Sequence, residues 1–189
     1  MTRKMLTVCI LLLILLMGCS QEALYKPMHW KVGQWVLYDV NGKEVRYAIV
    51  GSSDSYFWLE KSSIQNGEHL IIKALTSPGS NEIKKFIVKR SNESPIEFAF
   101  DRFPFEDLLL EGDVEILSKE KFNLAEHELY AVHLKQKRAD IWFSNKIPIG
   151  GILKYENGGK SIVLKDYGLK GAESEIAEAP KGSVYLNKL

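Results

Sequence analysis

Cysteine is scarce in this sequence, and its position limits the chemistry of most of the chain. The two cysteines, Cys9 and Cys19, both lie within the first nineteen residues. Residues 20–189 therefore contain no thiol. This excludes a disulfide, a thiol nucleophile and a cysteine metal site from that part of the chain.

The motifs of common catalytic sites are also missing. There is no G-x-S-x-G nucleophile elbow, no H-E-x-x-H pair and no glycine-rich phosphate loop. Residues 52–55 (SSDS) are typical of a polar loop between strands. Glu106 and Asp107 are adjacent, so on a helix they do not face one another. We predict a protein that is not an enzyme and binds no cofactor.

Histidine, the commonest metal ligand, occurs four times, at His29, His69, His127 and His133. On one continuous strand, His127 and His133 would share a face. Six residues at about 3.3 Å each separate them by about 20 Å, too far to bind one ion. We therefore expect no metal site.

An excess of charge of one sign is absent. The chain has 25 Lys and Arg against 24 Asp and Glu, a formal net charge of +1. A protein that binds nucleic acid usually presents a strongly basic face. We do not expect nucleic acid as a partner.

Only one long apolar run is present, and it lies near the N-terminus. Arg3 and Lys4 precede an almost uninterrupted apolar stretch from Met5 to Met17. This pattern is typical of a signal peptide. The run is shorter than the about 20 residues of a membrane-spanning helix, although a short anchor that is never cut is the alternative.

The end of this run, Leu16-Met17-Gly18-Cys19, resembles the lipobox of bacterial lipoprotein precursors. The resemblance implies a signal peptide over 1–18, a cut between Gly18 and Cys19, and lipid attachment at Cys19. Residues 19–32 would then form a lipid-anchored tether to a membrane. Without Arg3 and Lys4, 23 basic side chains face 24 acidic ones, so the formal balance becomes −1.

The residue after the cysteine, Ser20, bears on the membrane that would hold the anchor. It is not the aspartate that typically retains lipoproteins in the inner membrane. In a Gram-negative cell the resemblance therefore implies the outer membrane, facing the periplasm. In a Gram-positive cell the anchor would lie in the outer leaflet of the cell membrane, and the sequence leaves both sources open.

Residues 33–189 are predicted to form a single antiparallel β domain. Alternating apolar residues and turn signals predict strands over 34–40, 43–50, 56–60, 68–75, 82–89, 114–117, 128–134, 140–143, 152–155 and 160–167. Asn41-Gly42 predicts a tight hairpin, and Asn157-Gly158-Gly159 predicts another. The expected fold is mainly β, a curved antiparallel sheet that forms a half-barrel or open barrel, with one or two short helices.

The helices are expected over 91–112, where the regular succession of strand and turn patterns is interrupted. Pro104 would begin a helix that includes Phe105, Leu108 and Leu109. Residues 119–125 are interpreted as a turn or a helical bend. The apolar segment 98–110 is either a helix that plugs the barrel as part of the core or a mobile lid over an apolar groove.

A second resemblance rests on three stretches, 32–38 (VGQWVLY), 141–151 (IWFSNKIPIGG) and 164–168 (LKDYG), together with 49–51 and 56–60. They are similar to uncharacterised bacterial envelope lipoproteins. Their order is also similar to that of periplasmic lipoprotein carriers and their outer-membrane receptor. The resemblance implies an open half-barrel with a helical lid over an apolar cavity.

We expect a membrane-anchored envelope lipoprotein that binds an apolar ligand, a lipid or an acylated protein, within its curved sheet. The alternative is an envelope scaffold or interaction subunit that docks a protein partner. A hydrolase with a site assembled from distant residues is a third, weaker alternative. The residues predicted to line the ligand site are Trp35, Trp58, Phe100, Phe105, Leu108, Leu109 and Trp142.

Overall fold

The fold of this chain is seen in a computed structural model that describes residues 29–78, 82–99, 113–124, 127–177 and 183–185. The described residues contain twelve strands and no helix. The strands are β1 (Trp35–Val40), β2 (Lys43–Ser53), β3 (Tyr56–Gln65), β4 (Glu68–Thr76), β5 (Ile83–Arg90), β6 (Ile96–Ala99), β7 (Glu115–Leu124), β8 (His127–Gln136), β9 (Ala139–Phe143), β10 (Ile152–Asn157), β11 (Lys160–Gly168) and β12 (Ser183–Tyr185).

All twelve strands belong to one curved sheet in the order β12-β6-β5-β4-β3-β2-β1-β11-β10-β9-β8-β7. β1 joins two meanders, because it pairs antiparallel with β2 on one side and with β11 on the other. The described strands do not close into a barrel, although β7 comes into contact with β11, four positions away in the sheet order. The predicted fold class, a curved antiparallel sheet, is confirmed.

Local turn chemistry explains the hairpins. Asn41 and Gly42 both have positive φ, 53° and 80°, which is the backbone that a two-residue type I′ turn requires. Asn66 and Gly67 repeat this geometry between β3 and β4, with φ of 53° and 82°. The first turn was predicted from the sequence, and the second was not.

Three features differ from the sequence-based expectation. Residues 119–124 continue strand β7, so the predicted turn or helical bend is wrong there. β6 lies within 91–112, where the strand pattern was expected to be interrupted. β12 pairs with β6 in parallel, unlike the remaining pairs. The predicted short helix after Pro104 lies outside the described residues.

Successive side chains of β1 to β5 point to opposite sides of the sheet, and the two faces that result differ. The core face carries buried side chains that belong to the main apolar cluster, including Val36, Tyr38, Tyr47, Leu59 and Phe86. The Tyr38 hydroxyl donates a hydrogen bond of 3.0 Å to the carbonyl of Ile152 and so ties β1 to β10. Burial of this phenol raises its pKa well above the ordinary value.

A smaller apolar cluster fills the other end of the sheet, with Val132, Leu134, Ala139, Ile141 and Phe143. The loop between β9 and β10 ends in Gly151, whose φ is +73°. Any Cβ at this position would overlap the Phe143 ring. Glycine is therefore required here for both its backbone conformation and its lack of a side chain.

The opposite face of β1 to β5, which we call the strap face, is covered by the segment after β11. Residues 172–177, the strap, cross this face at the level of β2 to β5. The strap begins where the Ala172 amide donates to the carbonyl of Gly33 over 2.9 Å. Ile176 packs with Ile71 and Ile87 in a third apolar cluster. The sheet is therefore buried on both sides in this region.

Candidate functional site

The structure does not gather the predicted ligand-site residues into one pocket within its described part. Phe100, Phe105, Leu108 and Leu109 lie outside the described residues, as do Gly18 and Cys19. The three tryptophans that are described lie on β1, β3 and β9. Each is half-buried and has a different environment.

Trp35 and Trp58 lie on the strap face rather than on the core face. Trp35 lies against Gly168, where any Cβ would overlap the indole. Trp58 packs beside the third apolar cluster, and the Lys73 ammonium lies 5.4 Å from its ring centroid. Both indoles serve the packing of the strap face.

Trp142 has neighbours on both strands beside it. The His133 ring stacks on its ring at a centroid distance of 4.3 Å, and the Lys154 ammonium lies 4.6 Å from its centroid. His133 pairs with Trp142 from β8, and Lys154 pairs with it from β10, so they approach from opposite sides. The ring therefore belongs to a cross-strand ladder and is not an open stacking platform for a ligand.

His133 also has a carboxylate beside each ring nitrogen. Its Nε2 lies 3.0 Å from Oδ1 of Asp140, and its Nδ1 lies 3.5 Å from Oε1 of Glu120. A hydrogen bond from Lys135, followed by one from His133, lowers the pKa of the Asp140 carboxyl. Hydrogen bonds from Ser118 and then Trp142 lower the pKa of Glu120. This cluster joins β7, β8 and β9 electrostatically.

Metal ligands do not converge in the described part of the chain. No group of three or more His, Cys, Asp and Glu side chains there could hold an ion. His127 and His133 both lie on β8.

The strap is held by a polar cluster that sequence reasoning missed. Glu60, only 1% exposed, accepts the Glu175 amide at 2.9 Å and the Ser174 hydroxyl at 2.7 Å. The Lys73 ammonium donates to the Ser174 hydroxyl over 2.8 Å. Burial lowers the pKa of Lys73, and the Glu60 charge partly offsets that effect.

The side chain of Glu175 makes a second set of contacts with the sheet. Its carboxylate lies 2.8 Å from the Ser62 hydroxyl, 3.4 Å from the Arg46 guanidinium and 3.2 Å from the His69 ring.

Among the described residues, a candidate for a ligand site is a depression of about 220 Å³ beside the two Asn-Gly hairpins. Its floor includes Val45, which is part of the main core, and Val40, which packs against that core. Around them are polar and cationic side chains from β2 and β3. The full lining is Val40, Lys43, Val45, Lys61, Ser63, Ile64, Gln65 and Asn66.

Strand alternation places most of this depression on the core face. On β2, that face carries Lys43 and Val45. Val45 pairs with Ser63, and Tyr47 pairs with Lys61. The same face of β3 therefore carries Lys61, Ser63 and Gln65. The site went unnoticed in the sequence because β3 was expected to end at Glu60. Asn66-Gly67 was the available signal that β3 continues to a second hairpin.

Comparisons with known proteins add no assignment. No protein-family model matches the chain, and no curated protein matches it. In the segments described here, we find no helix of the length and apolar character that crossing a bilayer would require.

Proposed function

We propose that this chain is a membrane-anchored bacterial envelope lipoprotein whose β domain binds an amphiphile, a lipid or an acylated protein, on the core face of its curved sheet. The observation that carries the binding role is the depression at Val40 and Val45. Apolar side chains continuous with the core meet a polar and cationic rim there. Such a combination suits a ligand with an apolar and a polar end.

The anchor rests on the sequence of the first nineteen residues, with lipid on Cys19. A protein held at a membrane surface is surrounded by amphiphiles, which is consistent with the proposed ligand class. The proposed role is binding rather than catalysis. His133, for example, is flanked by two carboxylates and stacked on Trp142, an arrangement that favours a role in holding strands together.

Native mass spectrometry with lipid extraction tests the proposal. Residues 20–189 would be secreted to the periplasm behind a cleavable leader, so that no anchor lipid is present. We expect a stoichiometric amphiphile to co-purify. A matched variant, Val40→Asp, places a carboxylate in the depression at a half-buried position and should lose the amphiphile. An empty wild-type domain that also takes up no added lipid would contradict the binding role.

The second candidate function, docking of a protein partner, is favoured by one observation. β7 forms one edge of the sheet, and its outer side pairs with no other strand among those described. This edge carries Lys119 and Lys121, and it has a bulge between Ile116 and Ser118. Both features make the addition of a further strand less favourable. A partner crosslinked specifically through β7, combined with an empty core face, would favour docking over amphiphile binding.

A further inference from the structure

We propose that the depression recognises the head group of its amphiphile, and that this head group is an anionic phosphate ester held between Lys43 and Lys61. The inference rests on the proposed function and deepens it. It names the chemistry of the polar end of the ligand and the two side chains that select it.

The charge of the lining points to an anion. Two of the eight lining residues are lysines, and none is aspartate or glutamate. The chain as a whole is nearly neutral, with 25 basic and 24 acidic side chains, so this local excess is not a consequence of overall composition. Lysine supplies only donors, and Ser63, Gln65 and Asn66 supply more. A phosphate group has several acceptor oxygens that match them.

Register places the two ammonium groups at suitable positions. Lys61 pairs with Tyr47, and Lys43 is four residues before Tyr47 on the same face of β2. At about 3.3 Å per residue, the two lysines stand about 13 Å apart along the strands, on opposite sides of Val45 and Ser63. An anion above the Val45–Ser63 pair is thus about midway between them and within reach of both extended side chains. In the structure, the Lys61 ammonium lies over the Tyr47 ring, 5.5 Å from its centroid.

Size restricts which part of an amphiphile the depression can hold. Sites for whole small-molecule ligands typically measure about 300–1,000 Å³. The volume of about 220 Å³ suits a phosphate group and the first methylenes of its chain. Those methylenes would contact Val40 and Val45, and the remainder of the chain would extend beyond the depression.

Isothermal titration calorimetry on the full chain, kept soluble in an amphipol, tests this inference. The probes are octyl phosphate, octyl glucoside and inorganic phosphate, each below any concentration that forms micelles. We expect octyl phosphate to bind at least tenfold more tightly than either of the other two. Lys43→Gln and Lys61→Gln should each weaken octyl phosphate about fivefold to tenfold. Lys165→Gln, an exposed lysine on β11, is the matched control and should leave affinity unchanged.

The other outcomes overturn the inference in distinguishable ways. Equal affinity for octyl phosphate and octyl glucoside would show that the head group is not recognised, and amphiphile binding would still stand. Equal affinity for octyl phosphate and inorganic phosphate would indicate a site for a small anion. Wild-type affinity in Lys43→Gln and Lys61→Gln would place the site elsewhere. The absence of binding by either octyl compound would reject the proposed function together with the inference.

Discussion

Glu60 and Glu175, 115 positions apart in the chain, are joined by a hydrogen bond of 2.9 Å from the Glu175 amide to Oε1 of Glu60. Two acidic residues are thus in contact on the strap face, but their two carboxylates are not in contact with each other. The Glu60 carboxylate accepts from the strap backbone, while the Glu175 carboxylate turns towards Arg46 and His69. The contact fixes the C-terminal strap on the sheet and accounts for a buried carboxylate in β3.

Removal of this acceptor should destabilise the domain. We expect Glu60→Ala to lower the free energy of unfolding by about 2–4 kcal/mol, because the Glu175 amide and the Ser174 hydroxyl lose the buried carboxylate that accepts their hydrogen bonds. Urea denaturation measures the loss. Hydrogen exchange should also show faster exchange of the Glu175 amide. Glu173→Ala, at an exposed neighbouring position, should change stability by less than about 0.5 kcal/mol. Wild-type stability of Glu60→Ala would refute the role of Glu60 as the anchor of the strap.

The loop before β10 offers a second test of packing. Gly151→Ala is expected to cost about 2–4 kcal/mol of unfolding free energy, because the new Cβ overlaps the Phe143 ring and the backbone has positive φ. Gly159→Ala is the matched control, since a Cβ there meets nothing within 4 Å. Urea denaturation of both variants decides the point. Equal stability of the two would mean that the loop relaxes without strain.

Much of the strand pattern could be predicted because it depends on local chemistry. Asn41-Gly42 specifies its turn through backbone φ, and Val45, Tyr47 and Ile49 alternate because one face of β2 meets the core. The stretch from Lys61 to Gln65 was missed because its polar residues do not resemble a buried strand. Ser62 is 7% exposed because Glu175, far away in sequence, supplies its partner.

The remaining features depend on contacts between distant residues. β7 was not predicted in full, because Lys119, Glu120 and Lys121 follow the polar pattern of an exposed edge, although Phe122 and Leu124 beyond them pack with the main core. The depression requires two hairpins to end side by side, and no local pattern encodes that. The environment of Trp142 could not be predicted either, because its cross-strand partners, His133 and Lys154, cannot be read from the sequence.

The cluster around His133 predicts a specific dependence on pH. Lys135 and His133 hold the pKa of Asp140 below its ordinary value, so the charged Asp140 stabilises the fold. The contribution is complete above the unfolded-state pKa of about 3.9 and is lost as the pH falls through the lower folded-state value. We therefore expect Asp140→Asn to lower Tm at pH 5, and the difference from wild type to shrink as the pH approaches 2.5.

The control for this titration is Asp54→Asn in the exposed turn between β2 and β3. Asparagine tolerates the positive φ of 52° found there, so Tm should stay close to wild type at each pH. A difference between Asp140→Asn and wild type that stays constant from pH 5 to pH 2.5 would show that the charge of Asp140 does not contribute. The effect of the substitution would then come from packing alone.

The two cysteines allow a clean test of the proposed anchor. In the proposed processing, the Cys19 thiol accepts the lipid before the chain is cut after Gly18, so Cys19→Ala should yield a chain that retains residues 1–18 and carries no acyl chains. Cys9→Ala is the matched control, since it removes the other thiol and keeps the apolar run, so it should be processed normally. Intact-mass spectrometry and labelling with a fatty-acid analogue measure both properties. A cut and acylated Cys19→Ala chain would refute lipid attachment at Cys19. Loss of processing in Cys9→Ala alone would indicate that the anchor depends on the other cysteine.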